Sequence, residues 1–100
     1  MAITQCIITK NFIEESNPEN RIIAAKNLGE IAYKLFIYLE SFPENFIHYE
    51  RLNFVKNVNT NYKSADKALL TLIEKGYLIP DGDNNFIFIS RPEENPRIWS

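Results

Sequence analysis

Apolar residues recur along this chain at helical spacing in two places. Leu28, Ile31, Ala32, Leu35, Phe36 and Leu39 form one stripe, which predicts a helix over Asn27 to Ser41. Asn27 stands at the N-cap position and Glu30, three residues on, can reach back to it, the capping-box arrangement. Pro43, within Ser41 to Asn45, ends that helix because proline cannot continue it. The second stripe is Ala65, Ala68, Leu69, Leu72 and Ile73, which predicts a helix over Tyr62 to Lys75. Thr60 or Asn61 caps its start, and Gly76 closes it as a left-handed C-cap. Between the stripes, Phe46-Ile47 reads as an extended piece and His48 as an N-cap. A short helix, Tyr49 to Asn57, then buries Leu52 and Val55, with Tyr49 as a further candidate, before a turn at Asn57 to Asn61. Tyr77 to Ile79 and Phe86 to Ser90 read as two strands around a six-residue tip, Pro80 to Asn85.

The flanks are less regular. Ile3, Ile7, Ile8, Phe12 and Ile13 mark an extended arm or strand over Ile3 to Ile13. Glu14 to Asn20 is a polar loop around Pro18, and Arg21 to Ala25 a short helical turn. Residues 91–100 hold Pro92 and Pro96 and read as an extended tail. The expected division is an arm over 1–26, a folded unit over 27–90 and the tail over 91–100. Helix, extended piece, helix, turn, helix and hairpin, in that order, predict an α+β fold: a winged helix-turn-helix, with a three-helix core and a C-terminal β-hairpin wing. Proteins use such a unit mostly to hold a helix in a DNA groove.

One strand breaks the expected alternation. Phe86, Ile87, Phe88 and Ile89 are apolar on both faces, whereas a wing with one solvated face alternates. The N-terminal arm (Ile7, Ile8), the tail (Trp99) or another subunit must cover the second face. These four residues are therefore the candidate partner interface, for a homodimer or a different protein.

Charge tempers the DNA expectation. The net charge is -2, whereas phosphate contacts supply much of the affinity of DNA binders. The charge is uneven: Tyr49 to Tyr77 holds Arg51, Lys56, Lys63, Lys67 and Lys75 against Glu50, Asp66 and Glu74, so the flanks carry the acidic excess. The outward residues of the third helix and its approach, Thr60, Asn61, Tyr62, Lys63, Ser64 and Lys67, are the candidate DNA contacts, with Arg51 and Lys56 as phosphate anchors. Asn61 suits adenine, and Lys63 or Lys67 suits guanine or phosphate. Asp66 and Thr71 lie on the same face, and Asp66 repels phosphate.

Catalytic and cofactor chemistry finds no support. The single histidine, His48, has no partner nearby in sequence, Cys6 reads as a small core residue, and the acidic residues lack metal-loop spacing. There is no Gly-rich phosphate loop, so no cofactor is expected and the protein is not expected to be an enzyme. No apolar run reaches the roughly 18 residues of a membrane span, and a lone cysteine fits a reducing cytoplasm. With 45% apolar and 24% charged residues the composition is that of an ordinary globular domain, so global disorder is not expected.

Two phrases carry a family resemblance: Leu35 to Asn45 (LFIYLESFPEN) and Ala68 to Leu78 (ALLTLIEKGYL). Together with the intervening residues they resemble the winged-helix N-terminal domains of phage and plasmid replication initiators, including phage replisome organisers, over about half the chain. The resemblance implies duplex DNA binding in replication initiation or transcription regulation in a bacterium, phage or plasmid. Two positions depart from that family. The turn Asn57 to Asn61 is mostly amide where basic residues are common, leaving Tyr62 and Lys63 in their place, and the tip Asp81-Gly82-Asp83 is acidic. The alternative is a small phage or mobile-element protein-interaction module, an inhibitor or adaptor that keeps the fold without specific DNA binding.

Overall fold

The computed structural model describes residues 3–10 and 18–89. They form a mixed α+β fold in the order β1 (Gln5–Lys10), α1 (Pro18–Asn27), α2 (Glu30–Glu40), β2 (Phe46–Glu50), α3 (Arg51–Val58), α4 (Tyr62–Glu74), β3 (Leu78–Pro80) and β4 (Asn85–Phe88). The strands make one sheet in the order β2-β1-β4-β3. β1 pairs antiparallel with β2 and parallel with β4, and β3 with β4 is an antiparallel hairpin. The extended segment expected at the N-terminus is thus a central strand. Phe12, Ile13, Ser90, the tail and Trp99 lie outside the described residues.

Alternation fixes which face of the sheet is buried. Cys6, Ile8 and Lys10 of β1, Ile47 and Tyr49 of β2, Leu78 of β3, and Phe86 and Phe88 of β4 point inward. α2 packs on α4 through Ala32, Leu35, Phe36 and Leu39 against Ala65, Ala68, Leu69 and Leu72, the two stripes the periodicity marks. Aromatic rings join these helices to the sheet. Phe36 meets Tyr77 and Phe88 edge-on, each at 5.5 Å between ring centroids, and Tyr38 meets Phe54 at 5.3 Å.

Several local expectations are corrected. Four helices, not three, are present among the described residues, because Pro18 opens α1 rather than standing in a loop. Asn27 ends α1 instead of capping the next helix, and α2 starts at Glu30 behind Gly29, which offers no side-chain cap. The capping box fails because Leu28 continues the α1 pattern, its N–H reaching the Ala24 carbonyl at 2.8 Å. His48 and Tyr49 belong to β2, so Glu50 takes the N-cap position of α3, and Phe54 rather than Leu52 is its buried residue. Gly76 does close α4: at φ 86° it lets its own N–H reach Ile73 and that of Tyr77 reach Leu72, a Schellman pairing.

Burial sets two acid–base groups apart. Burial pushes the Cys6 thiol up to about 11 and also raises the phenol of Tyr49, its partner across the β1–β2 ladder. Both hold their protons to higher pH when folded, so the unfolded chain releases protons first. The stability these groups contribute is whole below the unfolded thiol range of about 8.5 and falls as pH rises toward 11. Lys10 shifts the other way, lowered by burial and pulled partly back by Glu40 and Glu44, and opposes that fall. We expect urea midpoints to decline through this alkaline window and Cys6→Ala to flatten the decline. A thiol reagent should label native Cys6 only through unfolding; labelling at the rate of a free thiol would contradict its burial.

Gly29 gives a second test. Its φ of -74° suits any residue, and a Cβ added there meets nothing within 4 Å. Gly29→Ser supplies the missing cap, and thermal unfolding should show a gain of about 0.5 kcal/mol.

Candidate nucleic-acid interface

α3 and α4 are joined by the three residues Asn59, Thr60 and Asn61. The amide-rich sequence suits this turn because Asn59 adopts the left-handed conformation, φ 55°, at lower cost than most side chains. The Thr60 N–H then reaches the Val55 carbonyl at 3.1 Å. Asn61 caps α4, its Oδ1 accepting the Ser64 N–H at 2.8 Å. That oxygen therefore holds the start of α4 as well as standing where the sequence expects an adenine contact.

The first residue of α3 is locked by charge to the second turn of α4. Arg51 Nη1 donates to both carboxylate oxygens of Asp66, at 3.0 and 3.2 Å. The same guanidinium lies over the Tyr62 ring, 4.1 Å from its centroid. Arg51 is only 17% exposed and Asp66 27%, so the pair is less screened than a surface ion pair. Two sequence expectations change here. Arg51 is committed to Asp66 instead of standing free as a phosphate anchor, and Asp66 is balanced instead of repelling an anion. Fifteen residues separate the partners, and no local pattern links them.

What remains outward is compact. Lys63 and Lys67 are exposed on α4, Tyr62 shows 45% of its surface, and Thr60 and Ser64 are partly exposed. Lys56 is exposed in the last turn of α3. Lys67 also borders a shallow groove of about 290 Å³, shared with Gly29, Glu30 and Ala32 at the start of α2 and with Thr71. Leu70, 47% exposed, ends the basic face toward the C-terminus of α4.

The hairpin contributes differently. Its tip, Asp81 to Asn84, is exposed, carries Asp81 and Asp83, and turns through Gly82 and Asn84 at positive φ. Of the four residues expected to form a partner interface, Phe86 and Phe88 are buried in the core, and only Ile87 and Ile89 remain half-exposed. β1 does not cover the outer face of β4; it pairs alongside it, with Ile8 facing inward and Ile7 outward. Among the described residues no group of His, Cys, Asp and Glu is arranged to hold a metal ion, and no helix is long and apolar enough to cross a membrane. Comparison with protein families, curated proteins and solved structures finds no match.

The Arg51–Asp66 contact is testable by a double-mutant cycle. Arg51→Ala and Asp66→Ala should each cost about 1 kcal/mol, and the double variant less than the sum because neither charge is then left unpaired. Additive urea-unfolding values would show that the pair carries no coupling.

Proposed function

We propose that this chain is a non-enzymatic duplex-DNA-binding protein of winged helix-turn-helix type, acting in replication initiation or transcription regulation. α2, β2, α3, α4 and the β3–β4 hairpin follow one another in the order such a domain requires, with β1 and α1 as additions. The observation that carries the proposal is the Arg51–Asp66 pair. It removes the unbalanced carboxylate from the exposed first half of α4, the part of a recognition helix that reaches base edges, and leaves Lys63 and Lys67 there. Asn61 and Tyr62 set the start of that helix, and Lys56 approaches the phosphates from α3. The acidic tip keeps the hairpin away from the backbone, so contact is made through the helix.

The acidic tip favours the second reading as well, a protein-interaction module with the same fold, and salt dependence separates the two. With three lysines on phosphates, the affinity for duplex fragments should fall with a log–log salt slope of about -3 between about 50 and about 200 mM salt. Lys63→Ala and Lys67→Ala should each lower that slope by about 1. Absence of binding at the lowest salt, or binding that ignores both substitutions, rejects the recognition-helix assignment in favour of the interaction module.

A further inference from the structure

We infer that β2 is a self-association edge, and that two copies of this chain pair antiparallel along it with Phe46 at the two-fold axis. The ladder with β1 fixes which backbone groups are free. Lys10 N–H bonds the Asn45 carbonyl at 2.7 Å and Arg51 N–H the Thr4 carbonyl at 2.8 Å. In antiparallel pairing, this parity turns Asn45, Ile47, Tyr49 and Arg51 toward β1 and Phe46, His48 and Glu50 away from it. The Ile7 N–H, which points to the Asn84 carbonyl of the β4 side at 3.0 Å, confirms the parity from the other side of β1. Since β2 is the outermost strand among the described residues, the N–H groups of Phe46, His48 and Glu50 face outward from the sheet.

The opposite edge is closed. β3 is three residues long, and the bonds from Asp81 N–H to Asn85 and from Ile89 N–H to Tyr77 turn only Leu78 and Pro80 outward. Proline has no N–H, so that edge offers a single donor. Short strands and prolines protect sheet edges, whereas β2 runs five residues, FIHYE, with neither lysine nor proline. The two edges of one sheet are built differently.

The side chains select the occupant. Phe46 is 68% exposed, more than the other large apolar side chains among the described residues. It ends a row across the outer face of the sheet, Ile79, Ile87, Thr9 and Phe46, given by the strand registers. A partner that continues this row presents an apolar side chain opposite Phe46 on an unpaired strand edge, and a second copy supplies both by symmetry. With Phe46 opposite the Phe46 of the second copy, the two residues exchange their backbone N–H and C=O groups and their rings form a cross-strand pair.

The edge lies apart from the α4 surface and does not rest on DNA binding. Sedimentation equilibrium of the full chain over a wide concentration range should show a reversible transition to twice the 11.7 kDa of one chain. Phe46→Lys should raise the dimer dissociation constant at least about tenfold, as removal of a central aromatic contact does. Because the side chain is exposed, its thermal unfolding should stay that of the parent measured as a monomer. Leu70→Lys, at an exposed apolar position of α4 away from this edge, should leave the dimer intact. Amide exchange adds a local readout: the Phe46 N–H should become protected as concentration rises, in the parent and not in Phe46→Lys. A chain monomeric at all concentrations, a dimer indifferent to Phe46→Lys, or one without new protection at Phe46 overturns the proposal. The first of these outcomes would leave the edge to an extended segment of another protein.

Discussion

The fold depends on β1 lying between β2 and β4. The two outer partners do not bond one another, so without β1 the sheet separates into an isolated strand and a three-plus-four-residue hairpin. An isolated hairpin is at best marginally stable in water. β1 spends both sides of its backbone on this bridge and adds Cys6 and Ile8 to the core on the inward face. Its partners are distant in sequence, Thr9 pairing with both Phe46 and Ile87. Closing such long loops costs little more than closing moderate ones, because the entropy grows only with the logarithm of length.

Lys10 secures the register of this strand. It is 8% exposed at the end of β1, and its ammonium donates to the Glu40 carbonyl at 3.0 Å and to the Phe42 carbonyl. These carbonyls lie at the C-terminal end of α2, where unpaired backbone oxygens and the helix dipole favour a cation. The buried Glu40 carboxylate accepts from Arg21 Nε of α1 at 2.8 Å. One lysine, one glutamate and one arginine therefore tie β1, α1 and the end of α2. Desolvating such charges offsets much of their attraction, so their main effect is on specificity. A one-residue slip of β1 would put Thr9 into the core and Lys10 and Ile8 outside, leaving Glu40 with one cation fewer.

The parts legible in the sequence are those governed by local periodicity. The α2 and α4 stripes, the Gly76 closure and the β3–β4 hairpin follow from spacing and turn chemistry, and they appear within a few residues of their expected bounds. α1 was legible only as a short turn over Arg21 to Ala25, because Arg21, Ile22, Ile23 and Ala24 lack a clean helical stripe and only Ala24 among them becomes a fully buried apolar side chain. The position of β1 was illegible for a different reason: a half-buried strand shows alternation but not its neighbours. The apolar run Phe86 to Ile89 led to an expected cover over its second face, whereas β1 pairs alongside β4 and leaves Ile87 and Ile89 half-exposed. In the candidate site, Lys63 and Lys67 could be placed on the outward face from helical spacing alone. The engagement of Arg51, Asp66 and Asn61 could not, because it depends on how α3 crosses α4 and on a cap geometry that sequence only permits.

That engagement changes how the net charge of -2 bears on anion binding. The domain measures 31 × 29 × 25 Å, and at 0.1 M salt exposed charges are screened over about 10 Å. A ligand on α4 therefore responds to the charges within a few residues of its own contact, not to the sum over the chain. Near the start of α4, Asp66 is cancelled by Arg51, and Lys63 and Lys67 are exposed. Glu74 is at the far end of the same helix, and the Glu50 carboxylate accepts from Asn53. The acidic excess resides elsewhere, in the hairpin tip and the flanks. An overall acidic chain thus presents a locally basic helix start.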